Sequence, residues 1–168
     1  ILKADLSTAK VDPFFKYPTL SIKCDIYDPI TGDAYKNDPR GFAKRAEAYL
    51  QTTGIADTAY FGPEAEFFIF NNVQYRSASN ESTYKVDSHE ADWNSNSPDP
   101  SAGFVNRVKE GYFPLPPNDK TQDLRAEMSA TMLDYGIPIE VHHHEVGGAS
   151  QAEIDMKFDT LLTMADML

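Results

Sequence analysis

The chain has 168 residues, 41% of them hydrophobic, with 15 basic and 26 acidic side chains and a net charge of −11. That content suffices for one sizeable core, and the acidic balance excludes a nucleic-acid grip, which needs a basic face. Cys24 is the sole cysteine, so an intrachain disulfide is excluded and a reducing, cytoplasmic setting is expected. With no apolar run near the roughly 18 residues of a membrane span and no visible signal peptide, no membrane partner is expected.

The opening, to about Phe15, carries weak signals and reads as irregular. Leu20–Ile26 alternates apolar and polar residues, the mark of a half-buried strand. Asp38 and Pro39 suit the N-cap and first position of a helix. Phe42, Ala46, Tyr49 and Leu50 would form its apolar stripe, and Gly54 its C-terminal stop. Asp57–Asn71 reads as one long strand. The polar stretch Ser77–Ser101 follows, with Tyr84 and Trp93 expected to pack against something. Gly111–Pro117 reads as extended because each proline disfavours helix at the residue before it.

Asp119 or Thr121 would cap a helix running to about Tyr135, with Leu124, Met128 and Met132 inward and Gly136 as its stop. Ile137–His144 reads as a strand, Gly147 and Gly148 as a turn, and Ser150 as the start of a last helix carrying Ile154, Phe158, Leu161, Leu162 and Ala165 at helical spacing. That helix has no terminator and residue 1 is Ile rather than Met, so the chain reads as part of something longer. Helices and strands alternate without regular βαβ spacing. The expected fold class is α+β, a mainly antiparallel sheet with flanking helices.

Two segments carry the chemistry. On a strand, Glu64 and Glu66 point to one face, and that face continues as Phe68 and Phe70. Carboxylates crowded beside aromatic rings are costly unless a cation lies between them. In Glu140–Glu145, alternation places Val141, His143 and Glu145 on one face and Glu140, His142 and His144 on the other. Polar groups on both faces suit a sheet edge or a cavity wall. The histidine run lacks the cysteine pairs or helical spacing of a zinc site, and an inert surface run is an alternative. Glu153 has two readings. Ser150 to Glu153 matches a capping box, in which the glutamate bonds back to the N-cap amide; equally, Glu153 could ligate metal. Four carboxylates with a histidine suit Mg²⁺ or Mn²⁺ holding nucleotide phosphates.

The segments Asp12–Phe15, Cys24–Asp25, Asp38–Arg40, Ala43–Glu47, Gly62–Phe68, Gly111–Pro117 and Glu140–Val146 together, in this order and at these intervals, resemble the catalytic domain of bacterial type I glutamine synthetases. The similarity runs through almost the whole chain. It implies that residues 1–168 are the N-terminal part of that catalytic domain, with a small N-terminal domain before it and the rest of the catalytic domain after it. It implies ATP-dependent ligation of ammonia to L-glutamate through a γ-glutamyl phosphate, giving L-glutamine, with two or more Mg²⁺ or Mn²⁺ ions per site. Glu66, Glu145 and Glu153 would hold one ion and Glu64 would contribute to a second. Glu140 would contact ATP, His143 would lie near its transferring phosphates, and Tyr112 and Glu145 would border the ammonium pocket.

The expected partners are L-glutamate, ammonium, ATP and further copies of the chain, in a ring-shaped dodecamer with active sites between subunits. The resemblance also places arginines and further metal ligands outside residues 1–168, so this stretch alone would be inactive. A γ-glutamyl–amine ligase and a non-catalytic structural or regulatory relative are the alternatives; retention of Glu64, Glu66, Glu145 and Glu153 argues against the latter.

Overall fold

A computed structural model describes residues 1–96, 103 and 105–168. In chain order its elements are β1 (Leu2–Ala4), β2 (Lys10–Asp12), β3 (Thr19–Ser21), β4 (Cys24–Ile26), α1 (Pro39–Thr53), β5 (Tyr60–Phe61), β6 (Glu64–Phe68), β7 (Asn72–Ser77), β8 (Ser82–Asp87), α2 (Gln122–Asp134), β9 (Ile139–His144), β10 (Gln151–Met156), β11 (Asp159–Thr160) and α3 (Leu161–Met167). Every described strand pair with a register is antiparallel, and helices accompany the sheets, so the fold is α+β. The chain divides into two compact units, one of residues 1–63, 131–138 and 156–168, the other of residues 64–130 and 139–155.

In the first unit, β1 pairs with β4 and β2 with β3, so the opening is ordered strand rather than irregular. The expected strand Leu20–Ile26 is two short strands, β3 and β4, with different partners. Helix α1 begins as the sequence predicts. The Asp38 carboxylate accepts from the Arg40 amide, Pro39 occupies the first turn, and Gly54 closes the helix at φ 71°. Its buried face differs from the expected stripe: Ala43 is buried while Phe42 and Tyr49 are exposed. What anchors α1 is charge. Arg40 bonds Asp5 at 2.7 Å, Asp25 at 2.7 Å and Asp166 at 2.9 Å, joining β4, α3 and the turn after β1 to one guanidinium. That network holds Asp5 well below the usual carboxylate range, at about 2, through bonds from Ser7 and Arg40.

The second unit is built on the three-stranded sheet β6–β10–β9. Gly62 and Pro63 break the expected long strand into β5 and β6, since proline has no amide to donate to a ladder. The larger correction is at β10: residues 151–156 form the central strand, not a helix. Ala152 and Ile154 are buried on one face and Glu153 on the other, as a strand covered on both sides requires. Ser150 sits at φ 58°, left-handed rather than in the extended conformation typical of an N-cap.

Residues 72–87, which include the start of the polar stretch from Ser77, form the hairpin β7–β8 with Tyr75 opposite Tyr84. Tyr84 is exposed rather than packed, while the Trp93 ring nitrogen donates to the Val86 carbonyl at 2.9 Å. Part of the polar stretch, residues 97–101, lies outside the described residues. Helix α2 ends before Gly136, at φ 83°, as predicted. In this unit its buried residues are Arg125 and Ser129, whereas Leu124 and Met128 are exposed. Arg125 is held by Asp119, Nη1 to Oδ1 at 3.1 Å.

Candidate functional site

Antiparallel register brings the acidic residues together. Glu153 on β10 lies directly opposite Glu66 on β6, and Asp155 directly opposite Glu64. Residues paired this way have Cβ atoms about 5 Å apart on one face, so four carboxylates form a two-by-two array. Strand β9, on the other side of β10, adds His143, and Glu145 follows directly after its end. Ligand atoms of His143, Glu145 and Glu153 lie within 4.8 Å of one another, and so do those of Glu64, Glu66 and Glu153. Glu153 is common to both groups.

Burial differs across the array. His143, Glu145 and Glu153 are buried. Glu64 and Glu66 are exposed, contrary to the expectation of a poorly solvated pair, although Phe68 and Phe70 do stack beyond them on the same face, centroids 5.8 Å apart. Gln151 donates to Glu66 Oε2 at 2.9 Å and orients it. Burial, with hydrogen bonds that protonated Glu153 can donate to Glu145 and Asp155 and the negative charge of both, pushes the Glu153 carboxyl up to about 8. A glutamate in that state holds a proton where a cation would otherwise sit. Asp155 Oδ1 is buried and accepts no hydrogen bond.

A backbone hydrogen bond orients His143. Its Nδ1 lies 3.0 Å from the His144 carbonyl, which can only accept, so Nδ1 donates. Nε2 faces the other way, 3.5 Å from Glu153 Oε2. Oxygen donors with one imidazole suit a hard divalent ion, and the residues present fit Mg²⁺ or Mn²⁺. Capping is excluded for Glu153 because no helix begins at Ser150.

The loop after Lys109 closes over His143. Tyr112 and Phe113 set their rings 5.3 Å and 4.3 Å from the His143 ring. The segment is not simply extended: Phe113 turns at φ 55° and donates its amide to the His144 carbonyl at 3.3 Å. Gly111 is required by this approach, because a Cβ there would meet the Glu145 carbonyl at 2.8 Å and His144 Cε1 at 2.9 Å.

Of the residues singled out in the sequence, Glu64, Glu66, Glu145, Glu153, His143 and Tyr112 meet around this sheet. Glu140 is exposed and belongs to neither ligand group, in line with its place on the opposite face of β9. Asp155 was missed; its spacing two residues beyond Glu153 is visible once β10 is known to be a strand. Glu90 and His144 were also missed as a pair. Their side chains meet at 2.8 Å with both residues about 1% exposed. Burial pushes Glu90 up and His144 down. Their mutual bond and the surrounding backbone partners outweigh this, so Glu90 lies below and His144 above its ordinary range.

Among the described residues, no helix is long and apolar enough to cross a membrane. Residues 36–168 match the family described as "Glutamine synthetase, catalytic domain". The chain is 55% identical over 167 residues to a glutamine synthetase of Streptomyces filamentosus, covering 99% of this chain and 36% of that protein. It is 52% identical over 168 residues to one of Aquifex aeolicus, covering 100% of this chain and 35% of that protein. A cryo-EM structure of Plasmodium falciparum glutamine synthetase superposes with a TM-score of 0.82 at 30% identity, over 99% of this chain and 33% of the other. The chain therefore spans about a third of the length of these relatives. With most of its length matched, it belongs to the glutamine synthetase catalytic-domain family.

Proposed function

We propose that this chain supplies the metal-holding part of a glutamine synthetase active site, in a protein that ligates ammonia to L-glutamate at the expense of ATP. The reaction passes through γ-glutamyl phosphate in the cytoplasm, inside a ring of identical subunits, a dodecamer with sites between neighbours. Residues 1–168 are the N-terminal part of its catalytic domain. The observation that carries the reading is the pair of ligand groups joined at Glu153, one with His143 and Glu145 and the other with Glu64 and Glu66, in a chain half identical to glutamine synthetases.

Glu66, Glu145 and Glu153 hold one Mg²⁺ or Mn²⁺ and Glu64 contributes to a second; bound there, the ions supply charge neutralisation for phosphates and carboxylate. His143, its Nδ1 proton committed to the His144 carbonyl, keeps Nε2 directed at the metal side, near the transferring phosphates. Glu140 contacts the nucleotide.

The γ-carboxylate of glutamate is a poor electrophile. Transfer of the ATP γ-phosphoryl group to one of its oxygens turns that oxygen into a leaving group, and the protein's part is positioning and electrostatics. Ammonium must lose a proton before it attacks. Tyr112 and the Glu145 carboxylate border its pocket, where an anionic side chain first attracts the cation and then takes up the proton it loses. Attack on the carbonyl carbon expels phosphate and leaves the amide.

The test is ATP-dependent glutamine formation by the intact protein. Glu66→Gln and Glu153→Gln are expected to lower kcat at least a hundredfold, with stoichiometric phosphate release in the parent. A parent that releases no glutamine, or that couples an alkylamine to glutamate in preference to ammonia, would overturn the assignment. An anomalous-scattering map of Mn²⁺-soaked crystals locates the ions directly; an ion away from Glu66, Glu145 and Glu153 would refute the ligand set.

A further inference from the structure

Glu90 forms no hydrogen bond with the side chain of a candidate ligand, yet it is among the most enclosed side chains in the second unit. Its Oε1 accepts from the Lys120 amide at 2.6 Å, and its Oε2 from the Ser150 amide at 2.7 Å and from His144 Nε2 at 2.8 Å. On the far side of the imidazole, His144 Nδ1 lies 2.7 Å from the Gly111 carbonyl and 2.9 Å from the Glu145 carbonyl. Carbonyls only accept, so that nitrogen donates. The ring thus bridges a carboxylate on one side and two backbone oxygens on the other.

Each end of this bridge holds a different part of the site. Gly111 begins the loop that lays Tyr112 and Phe113 against His143. Glu145 is a candidate ligand. Ser150, in a left-handed conformation that costs about 1–2 kcal/mol for a residue with a side chain, begins the strand that presents Glu153. It is gripped from two sides, by Glu90 through its amide and by the Ser88 hydroxyl through its own.

We propose that Glu90 and His144 are positioning residues for this site, a buried clamp that sets β9, the entry to β10 and the Tyr112 loop in one fixed relation. The proposal rests on the metal reading above for its functional consequence, and on hydrogen-bond geometry alone for the clamp. A carboxylate at position 90 is needed because three donors converge on it, which no neutral side chain of that length can accept together. Burial makes the bridge stiff: a donor or acceptor released there has no water to turn to.

The experiment compares the intact protein with Glu90→Gln and, as a control of similar burial, Asp119→Asn. Mn²⁺ affinity is read by electron paramagnetic resonance, and amide hydrogen exchange is followed across residues 111–113 and 144–150. Glu90→Gln is expected to weaken Mn²⁺ binding tenfold or more and to speed exchange in both segments at least tenfold. Asp119→Asn should leave Mn²⁺ affinity within twofold. Unchanged exchange, retained Mn²⁺ affinity, or equal losses in the two variants would each overturn the clamp. Should Glu90→Gln not fold, His144→Gln and His144→Ala replace it. The glutamine amide still reaches Glu90 and should keep Mn²⁺ affinity at least fivefold above alanine's; equal affinities overturn the proposal. Absence of Mn²⁺ binding by the parent protein would instead defeat the metal reading, a result visible before any variant is made.

Discussion

Glu153 belongs to both ligand groups and carries a carboxyl pushed up to about 8, so metal uptake must displace its proton. With that value, Glu153 is about 97% protonated at pH 6.5 and about a quarter protonated at pH 8.5. Mn²⁺ binding should therefore release about one proton at pH 6.5 and about 0.25 at pH 8.5, and affinity should rise about 25-fold between them. Calorimetric titration in pairs of buffers with different ionisation enthalpies counts the protons. Glu153→Gln removes both the ligand and the titrating group, so its residual binding should be weaker by tenfold or more and nearly flat with pH.

The same residue has a second signature in the metal-free protein. A carboxyl raised above its unfolded value of 4.5 binds its proton more tightly in the native state. Stability is then full below pH 4.5 and falls as pH rises toward 8, by up to about 1.4 kcal/mol per unit. Saturating Mn²⁺ should abolish that slope, and so should Glu153→Gln. Proton release near zero at pH 6.5 in the parent, or the same pH slope in Glu153→Gln, would refute the reasoning.

Three further outcomes are expected. Gly111→Ala forces a Cβ against the Glu145 carbonyl and the enclosed His144 ring; it should cost about 1–3 kcal/mol in a urea melt and depress glutamine formation, and unchanged values for both would contradict the close approach. Asp5 is depressed to about 2 by Ser7 and Arg40, so its contribution is present above its unfolded value of 3.8 and lost as pH falls toward 2; Asp5→Asn should flatten the urea midpoint against pH in that window, and an identical profile would deny the Arg40 network that role. Asp119→Ala leaves the enclosed Arg125 guanidinium without its carboxylate and should cost about 3–5 kcal/mol, a loss below 1 kcal/mol being incompatible with a buried pair.

Local signals were legible where one element decides its own conformation. Asp38, Pro39 and Gly54 bound α1 because a cap, a fixed φ and a left-handed stop act within a few residues. Glu64 and Glu66 were paired correctly because alternation needs no knowledge of neighbours. The reading failed where two periods fit the same letters. Ile154, Phe158, Leu161 and Leu162 suit a helical stripe, and Ser150 to Glu153 suits a capping box. What made residues 151–156 a strand was a ladder on each side, from β6 and β9, which only the folded chain supplies. The same holds for α2, whose buried face is Arg125 and Ser129 because Asp119 is there to meet the guanidinium. Glu90 had no local signature at all; its role lies in three donors reaching it from residues 120, 144 and 150.

The cost of the carboxylate array explains its placement. Like charges directly opposite on neighbouring strands destabilise a sheet, and here Glu66 faces Glu153 while Asp155, with a buried oxygen that accepts no bond, faces Glu64. A strand at an exposed edge could relieve such repulsion by splaying. Here β10 is held by β6 on one side and β9 on the other, with Ala152 and Ile154 buried on its other face. The sheet therefore holds the carboxylates together against their mutual repulsion, relieved in the metal-free state by a proton on Glu153. A divalent ion entering this array meets ligands already gathered, and removing repulsion becomes part of its binding energy. The ring of Tyr112 and the orientation of His143 depend on the backbone of the same strand pair, through the His144 carbonyl that both His143 Nδ1 and the Phe113 amide address. Ligand gathering and loop placement are thus consequences of one register, and a substitution that slips β9 against β10 should disturb both together.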